Sequence, residues 1–192
     1  MSGPATDVRE DLSWERTRLL MRRPWLDDLP EFPSLPEGFV LRRYQAGDRL
    51  ALASLLACAF EEPWSEDLVE ERLASAPDVE AIYVVAGGNR LIATASARVM
   101  LDHYPGAGCV HWVGAHPEFQ GRGLGTLVTL RVLEHFRAAG LESAVLETST
   151  IRLAAQRTYL RMGFIPEPVD REEQRRWARV LPLHLRGGKG RR

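Results

Sequence analysis

The sequence predicts a mixed α/β domain of the α+β kind. Its central sheet has about six to seven strands, with an antiparallel meander first and a parallel strand–helix–strand unit after it, flanked by about four helices. Three observations lead there. Short apolar runs alternate with helix-period runs in the order β-α-α-β-β-β-α-β-α-β-β. The turn Gly87-Gly88-Asn89 sits between two apolar runs and reads as a hairpin. Glycines 121, 123 and 125 stand where an apolar run gives way to a long helical pattern, as in a β-to-α junction.

Residues 1–12 are polar and without period, and are expected to be disordered. Ser13 to Arg23 is expected as a short helix capped by Ser13 and stopped by Pro24. Pro24 to Gly38 carries Pro24, Pro30, Pro33 and Pro36 among Trp25, Leu26, Leu29, Phe32 and Leu35. That mixture suits an arm laid on a domain surface, with prolines forbidding helix. Residues 1–38 therefore form an N-terminal extension, 39–183 the main domain, and 184–192 a basic glycine-rich tail.

Within the domain, Phe39 to Tyr44 reads as a strand and Asp48 to Phe60 as an apolar helix. Ser65 to Ser75 is a second helix with Ser65 as its cap. Val79 to Ala86 and Arg90 to Met100 are the hairpin strands, and Cys109 to Ala115 another apolar strand. A long helix runs from Gly123 to Ala139 and ends at Gly140. Ser143 to Thr148 is a strand, Ile151 to Met162 a helix ending at Gly163, and Phe164 to Glu167 and Gln174 to Leu181 are short final strands.

Composition removes several classes of function. Hydrophobic residues make up 45% and charged residues 27%, enough for a real core. Twenty-five basic against 26 acidic residues leave no global field toward nucleic acid or membrane. The longest apolar run, Leu50 to Phe60, is far short of the roughly 20 residues of a membrane span. Asp7, Glu10 and Asp11 do not read as a secretory signal. Cys58 and Cys109 give neither a disulfide framework nor metal-ligand spacing, so no metal is expected. Lys189, in the tail, is the sole lysine, which disfavours a Walker phosphate loop or a core Schiff base.

The densest chemical signal is Val113-Gly-Ala-His-Pro-Glu-Phe-Gln-Gly-Arg-Gly-Leu-Gly-Thr126. Without Cβ atoms, Gly121, Gly123 and Gly125 let backbone amides approach a ligand closely. They add to the unpaired N–H groups and positive end of the following helix, so Gln120 to Thr126 can hold a phosphate, with Arg122 adding a full charge. A dinucleotide reading of the same loop would want glycine at Thr126 and an acid after the next strand, where Glu147 lies. Against it, the loop follows several strands rather than the first, and Pro117 and Gln120 have no role in it.

Gln120-x-x-Gly123-x-Gly125, with its His116-Pro117-Glu118 lead-in, resembles the pyrophosphate motif of the GCN5-related N-acetyltransferase (GNAT) superfamily. Downstream, Ala155-Gln-Arg-Thr-Tyr-Leu-Arg-Met-Gly-Phe164 is similar to that family's Ala-x-x-x-Tyr-x-x-x-Gly-Phe. The element order agrees, so the resemblance runs from about Phe39 to Leu183. It implies a GNAT fold and transfer of an acetyl group from acetyl-CoA, as co-substrate, to a primary amine of a small molecule or peptide through a ternary complex.

The resemblance also implies roles for particular residues. Strands Cys109–Ala115 and Ser143–Thr148 would splay to admit pantetheine, paired by backbone near Val113, Gly114 and Ala115. Gln120, Gly121, Arg122, Gly123, Leu124, Gly125 and Thr126 would cradle the pyrophosphate. The family often has Asn where this chain has Arg152, which meets a cofactor phosphate or faces solvent. Tyr159 takes the position of the general acid, protonated at neutral pH. His111, alternating with Cys109 and Val113, is the candidate general base; a satisfied structural histidine is the other reading. Glu61, Glu62 and Trp64 lie in the region that covers the acceptor pocket and would suit a cationic amine, or form a solvated turn.

Two other functions remain beside the enzyme. One is an idle acyl-CoA-binding regulatory module, which would not need Tyr159; the other, more distant, is a dinucleotide-binding oxidoreductase. The expected partners are acetyl-CoA and an amine acceptor, without nucleic acid or membrane. Homodimerisation is left open, and the expected location is the cytoplasm.

Overall fold

A computed structural model describes residues 17–186. The expected disorder of 1–12, the Ser13 cap and the end of the tail with Lys189 lie outside the described residues. In chain order the elements are β1 (Arg18–Arg23), β2 (Phe39–Arg43), α1 (Arg49–Phe60), α2 (Glu66–Val69, continued by a π turn over Glu70–Ala74), β3 (Val79–Gly87), β4 (Arg90–Val99) and β5 (Ala107–Ala115). Then follow α3 (Leu124–Ala138), β6 (Ser143–Ser149), α4 (Leu153–Arg161), β7 (Ile165–Pro166) and α5 (Arg171–Arg186). None of these helices is long and apolar enough to cross a membrane.

The described residues divide into two compact units, 23–146 and 17–22 with 147–186. The larger unit holds the predicted meander: β2–β3, β3–β4 and β4–β5 are antiparallel, and β5–β6 is parallel. Side chains alternate across β3, and the two faces carry different partners. Ile82, Val84 and Ala86 pack with Leu52, Leu55 and Leu56 of α1 and Val69 and Leu73 of α2. Tyr83 faces the other way, its ring 6.1 Å from that of His135 on α3. Ala81 and Tyr83 stand opposite Ala97 and Ala95 of β4, which with Ala93 are fully buried. A stripe of small side chains lets α3 lie close on that face.

Local signals fix the helix ends. Ser65 Oγ accepts the Leu68 N–H at 3.2 Å, as its position predicts. At the start of α1, Asp48 pairs with Arg42 at 2.6 and 2.8 Å and accepts the Gln45 N–H at 2.8 Å. That pairing, largest in its hydrogen bonds, holds the Asp48 carboxyl below its ordinary value.

The smaller unit corrects two expectations. Arg18–Arg23 is a strand, not the end of a helix: β1 pairs antiparallel with β7, Met21 opposite Pro166 and Arg22 opposite Ile165. Leu19 and Met21 are fully buried, an alternation that a short helix prediction misses. Gln174–Leu181 is not a strand but the middle of α5, whose buried residues Glu173, Trp177 and Val180 recur at helical spacing. The fully buried Glu173 carboxylate accepts the Leu20 and Val169 N–H groups, and Arg176 Nε donates to the Arg18 carbonyl at 3.1 Å. These long-range bonds decide both assignments. The expected strand Phe164–Glu167 shortens to Ile165–Pro166.

Candidate active site

The site begins where β5 stops being an ordinary strand. On its β4 side His111 stands opposite Ser96 and Gly114 opposite Thr94, so Trp112 and Val113 together oppose Ala95 alone. This is a β-bulge, and Trp112 takes it up with φ of 47°, rare for a residue with a side chain. Ring contacts hold it there: Phe60 and Trp64 meet Trp112 edge-on, with centroids 4.8 and 4.7 Å away. Because the bulge puts two consecutive residues on one face, His111 and Trp112 both lie on the side of α1 and α2, their rings 5.2 Å apart.

On its other edge β5 loses its partner. The parallel ladder runs from Ala107 opposite Ser143 to Val110 opposite Leu146. Five residues of β5, His111 to Ala115, continue past the last of these pairs. Their outward backbone groups have no ladder partner within the larger unit, and unladdered amides seek other hydrogen bonds. Gly114 serves a second purpose, since a Cβ there would sit 3.0 Å from the Phe60 ring and 3.1 Å from Ala59.

From Ala115 the chain enters the glycine loop. The His116 N–H bonds the Ile92 carbonyl at 2.8 Å, and His116 Nδ1 accepts the Glu118 N–H at 3.3 Å, capping a turn over Pro117–Phe119. The three loop glycines have two different reasons to be glycine. Gly121 and Gly123 both have φ of 76°, which only glycine adopts without strain. Gly125 is ordinary helix, and nothing lies within 4 Å of where its Cβ would be. Gly121 is equally open, whereas Pro33 lies 3.9 Å from the Cβ position of Gly123, and the first amides of α3 carry the positive end of the helix dipole. Arg122 is exposed and its guanidinium lies 5.1 Å from the Phe119 ring centroid. Gln120 is exposed, Thr126 half-buried, and Leu124 so buried that only its backbone can meet a ligand. These features suit a pyrophosphate.

The expected acceptor-side residues separate. Trp64 joins the aromatic cluster and carries Arg72 over its ring at 6.0 Å, whereas Glu61 and Glu62 are exposed, Glu61 as a left-handed cap of α1 at φ of 57°. Trp112 is the residue that sequence reasoning missed, since nothing in a tryptophan announces a bulge. A cleft of about 440 Å³ runs between α1 and the β3–β4 turn, with Arg90 and His116 among its lining, and none of the expected site residues faces it.

His111 is less basic than an ordinary histidine. Burial first, and then the Arg98 charge, lower it to about 3, against a smaller opposing pull from Asp78. Arg98 Nη1 lies 3.4 Å from Nε2, and Nδ1 is buried with no partner. In the smaller unit Tyr159 is buried against Phe164, with centroids 6.0 Å apart, and burial pushes its hydroxyl up to about 12 despite the Arg152 charge. Arg152 is exposed at the start of α4.

The profile of the acetyltransferase (GNAT) family matches residues 49–164, more than half the chain. The chain belongs to the GNAT family. A mycothiol acetyltransferase of Nocardia farcinica is 35% identical over 153 residues, covering 73% of this chain and 50% of that protein. One from Actinosynnema mirum is 35% identical over 170 residues, covering 83% and 56%. The chain spans about half the length of the curated relatives it matches. A GCN5-related N-acetyltransferase of Sphaerobacter thermophilus superposes with a TM-score of 0.62 at 21% identity, covering 78% of this chain and 48% of that one. The ribosomal-protein-S18-alanine N-acetyltransferase of Escherichia coli gives 0.57 at 20%, covering 68% and 79%. These two share the fold of the chain.

Proposed function

We propose that this GNAT chain is an acetyl-CoA-dependent N-acetyltransferase acting on a primary amine in a ternary complex. The observation that carries it is the continuity of an unladdered strand edge, His111 to Ala115, with the glycine-lined helix start at Gly121 to Gly125. The first offers amide partners along an extended chain, and the second offers an anion site at its end. A pantetheine pyrophosphate has that shape and charge order. The likeness to proteins named mycothiol acetyltransferase favours a small-molecule amine, and an acceptor of the kind that name implies is the first to test.

The bound thioester supplies the acetyl group, whose bond to sulfur breaks as the amine nitrogen bonds to its carbonyl carbon. Backbone amides of Val113 to Ala115 orient the pantetheine arm and polarise the carbonyl. Tyr159, held protonated by burial, gives its proton to the departing sulfur. Glu61, Glu62 or a solvent molecule takes the proton of the amine. A histidine lowered to about 3 is a poor base at neutral pH, so those groups take the proton in preference to His111. Arg122, Gln120 and the glycine amides hold the pyrophosphate, with Arg152 as a further cation for a phosphate.

Calorimetry with acetyl-CoA tests the donor, and thiol release in the presence of an amine panel tests the transfer. Binding with amine-dependent release of CoA supports the reading. Absence of acetyl-CoA binding overturns it.

A further inference from the structure

His111 is better placed to give a hydrogen bond than to take a proton. Its register opposite Ser96 puts the ring on the face of α1 and α2, and Arg98 follows Ser96 by two residues on the same face of β4. The Ser96 hydroxyl donates to the His111 carbonyl at 3.0 Å and fixes the backbone. Arg98 is itself held: its Nε donates to Asp78 Oδ2 at 2.9 Å, and its Nη2 pairs with the same oxygen. The remaining Nη1 points at His111 Nε2, 3.4 Å away.

A guanidinium has only donors. His111 Nε2 must therefore present its lone pair, and the neutral ring carries its hydrogen on Nδ1. That Nδ1 is buried and meets no acceptor of the protein. A buried donor without a partner is destabilising, so an acceptor supplied by a ligand would be favoured there. His111 is also the first residue past the end of the β5–β6 ladder, where an acyl-CoA arm would enter.

We infer that Arg98, braced by Asp78, is a positioning residue that fixes His111 as its Nδ1–H tautomer, and that His111 donates a hydrogen bond to an acceptor atom of the bound acyl-CoA. The second half rests on the proposed acetyl-CoA reading; the first does not. The charges acting on the ring are Arg98 from β4 and Asp78 just before β3. On β5 the ring is flanked by uncharged Trp112, which packs in turn on Phe60 of α1 and on Trp64 of the connection to α2, with Arg72 over Trp64 and with Glu61 and Glu62 exposed. The lowered basicity of His111 agrees with this arrangement.

Long-range proton–nitrogen spectra of the full chain, labelled with ¹⁵N-histidine, test the tautomer. The expected result is a protonated Nδ1 and an unprotonated Nε2 for His111, unchanged between about pH 5 and 8. Arg98→Met should release the tautomer preference and raise the pH at which the ring titrates, burial alone then opposing its charge, while Arg98→Lys, which keeps a donor at Nε2, should restore the original spectrum. A wild-type ring protonated on Nε2, or a spectrum that Arg98→Met leaves unchanged, overturns the assignment. If Arg98→Met does not fold, wild type and Arg98→Lys decide. Acetyl-CoA is then added with calorimetry in parallel, and the Nδ1–H resonance should move at saturation. Binding without that movement overturns the donor role and leaves the acetyl-CoA reading standing. No calorimetric binding overturns that reading, and the donor role with it.

Discussion

Phe136 of α3 lies flat on Gly108 of β5: a Cβ added at Gly108 would come within 2.4 Å of the ring carbons. The glycine is there for close approach and not for an unusual backbone, and it sets the distance between the helix that opens the candidate phosphate site and the strand that leads to it. Gly108→Ala must push a fully buried ring off the sheet. Overpacking of this kind costs about 1–3 kcal/mol. The expected result in urea unfolding is a lower midpoint at unchanged slope; an unchanged midpoint would mean that α3 can shift freely.

Gly125 offers a test in which stability and binding move in opposite directions. Its backbone is helical and its Cβ position is open, so Gly125→Ala should stabilise the fold by about 0.4–1 kcal/mol. The same methyl would stand where the pyrophosphate approaches, and acetyl-CoA affinity should fall by about tenfold or more, about 1.4 kcal/mol. Thermal unfolding and calorimetry on one preparation read both. Retained affinity would place the phosphates elsewhere. Gly123→Val, by contrast, adds backbone strain at φ of 76° and should lose both.

Tyr159→Phe should leave acetyl-CoA affinity unchanged and lower kcat by roughly ten- to ten-thousand-fold. Because burial raises the hydroxyl to about 12, the wild-type rate should show no alkaline loss through pH 10, where an ordinary tyrosine would be half ionised. A wild-type limb near 10 that disappears in Tyr159→Phe would show an exposed, ordinary tyrosine. An unchanged kcat, with chemistry limiting, would leave Tyr159 a packing residue.

His111 should make the protein acid-sensitive. The folded chain resists protonating it down to about 3, while the unfolded chain takes that proton near the ordinary value of 6.5. Between these limits the unfolded state holds more protons, so stability rises with pH across the window and this contribution is flat above it. His111→Gln removes the contribution. The difference in Tm between pH 7 and pH 4 should therefore shrink in the variant, and an equal difference would mean that His111 titrates normally in the folded protein.

Sequence by itself determined whatever depends on a few adjacent residues. Gly88, Gly121, Gly123 and Gly140 stand at left-handed backbone positions that their neighbours demand, and Ser65 caps the helix it precedes. The loop motif and the Ala155–Phe164 motif placed the chain in its family for the same reason: each is contiguous and each sits at an element junction. Tertiary structure decided what depends on distant partners. β1 is a strand and α5 a helix because groups 153 residues apart, Leu20 and Glu173, satisfy one another. The bulge at Trp112 exists because Phe60 and Trp64 pay for its backbone strain with ring contacts. The apolar pattern of β5 put His111 on a strand, but its basicity was set by burial and then by the charge of Arg98, which reaches it only across the sheet. Backbone conformation is a local property, whereas burial, register and charge environment are sums over neighbours that only the folded chain brings together.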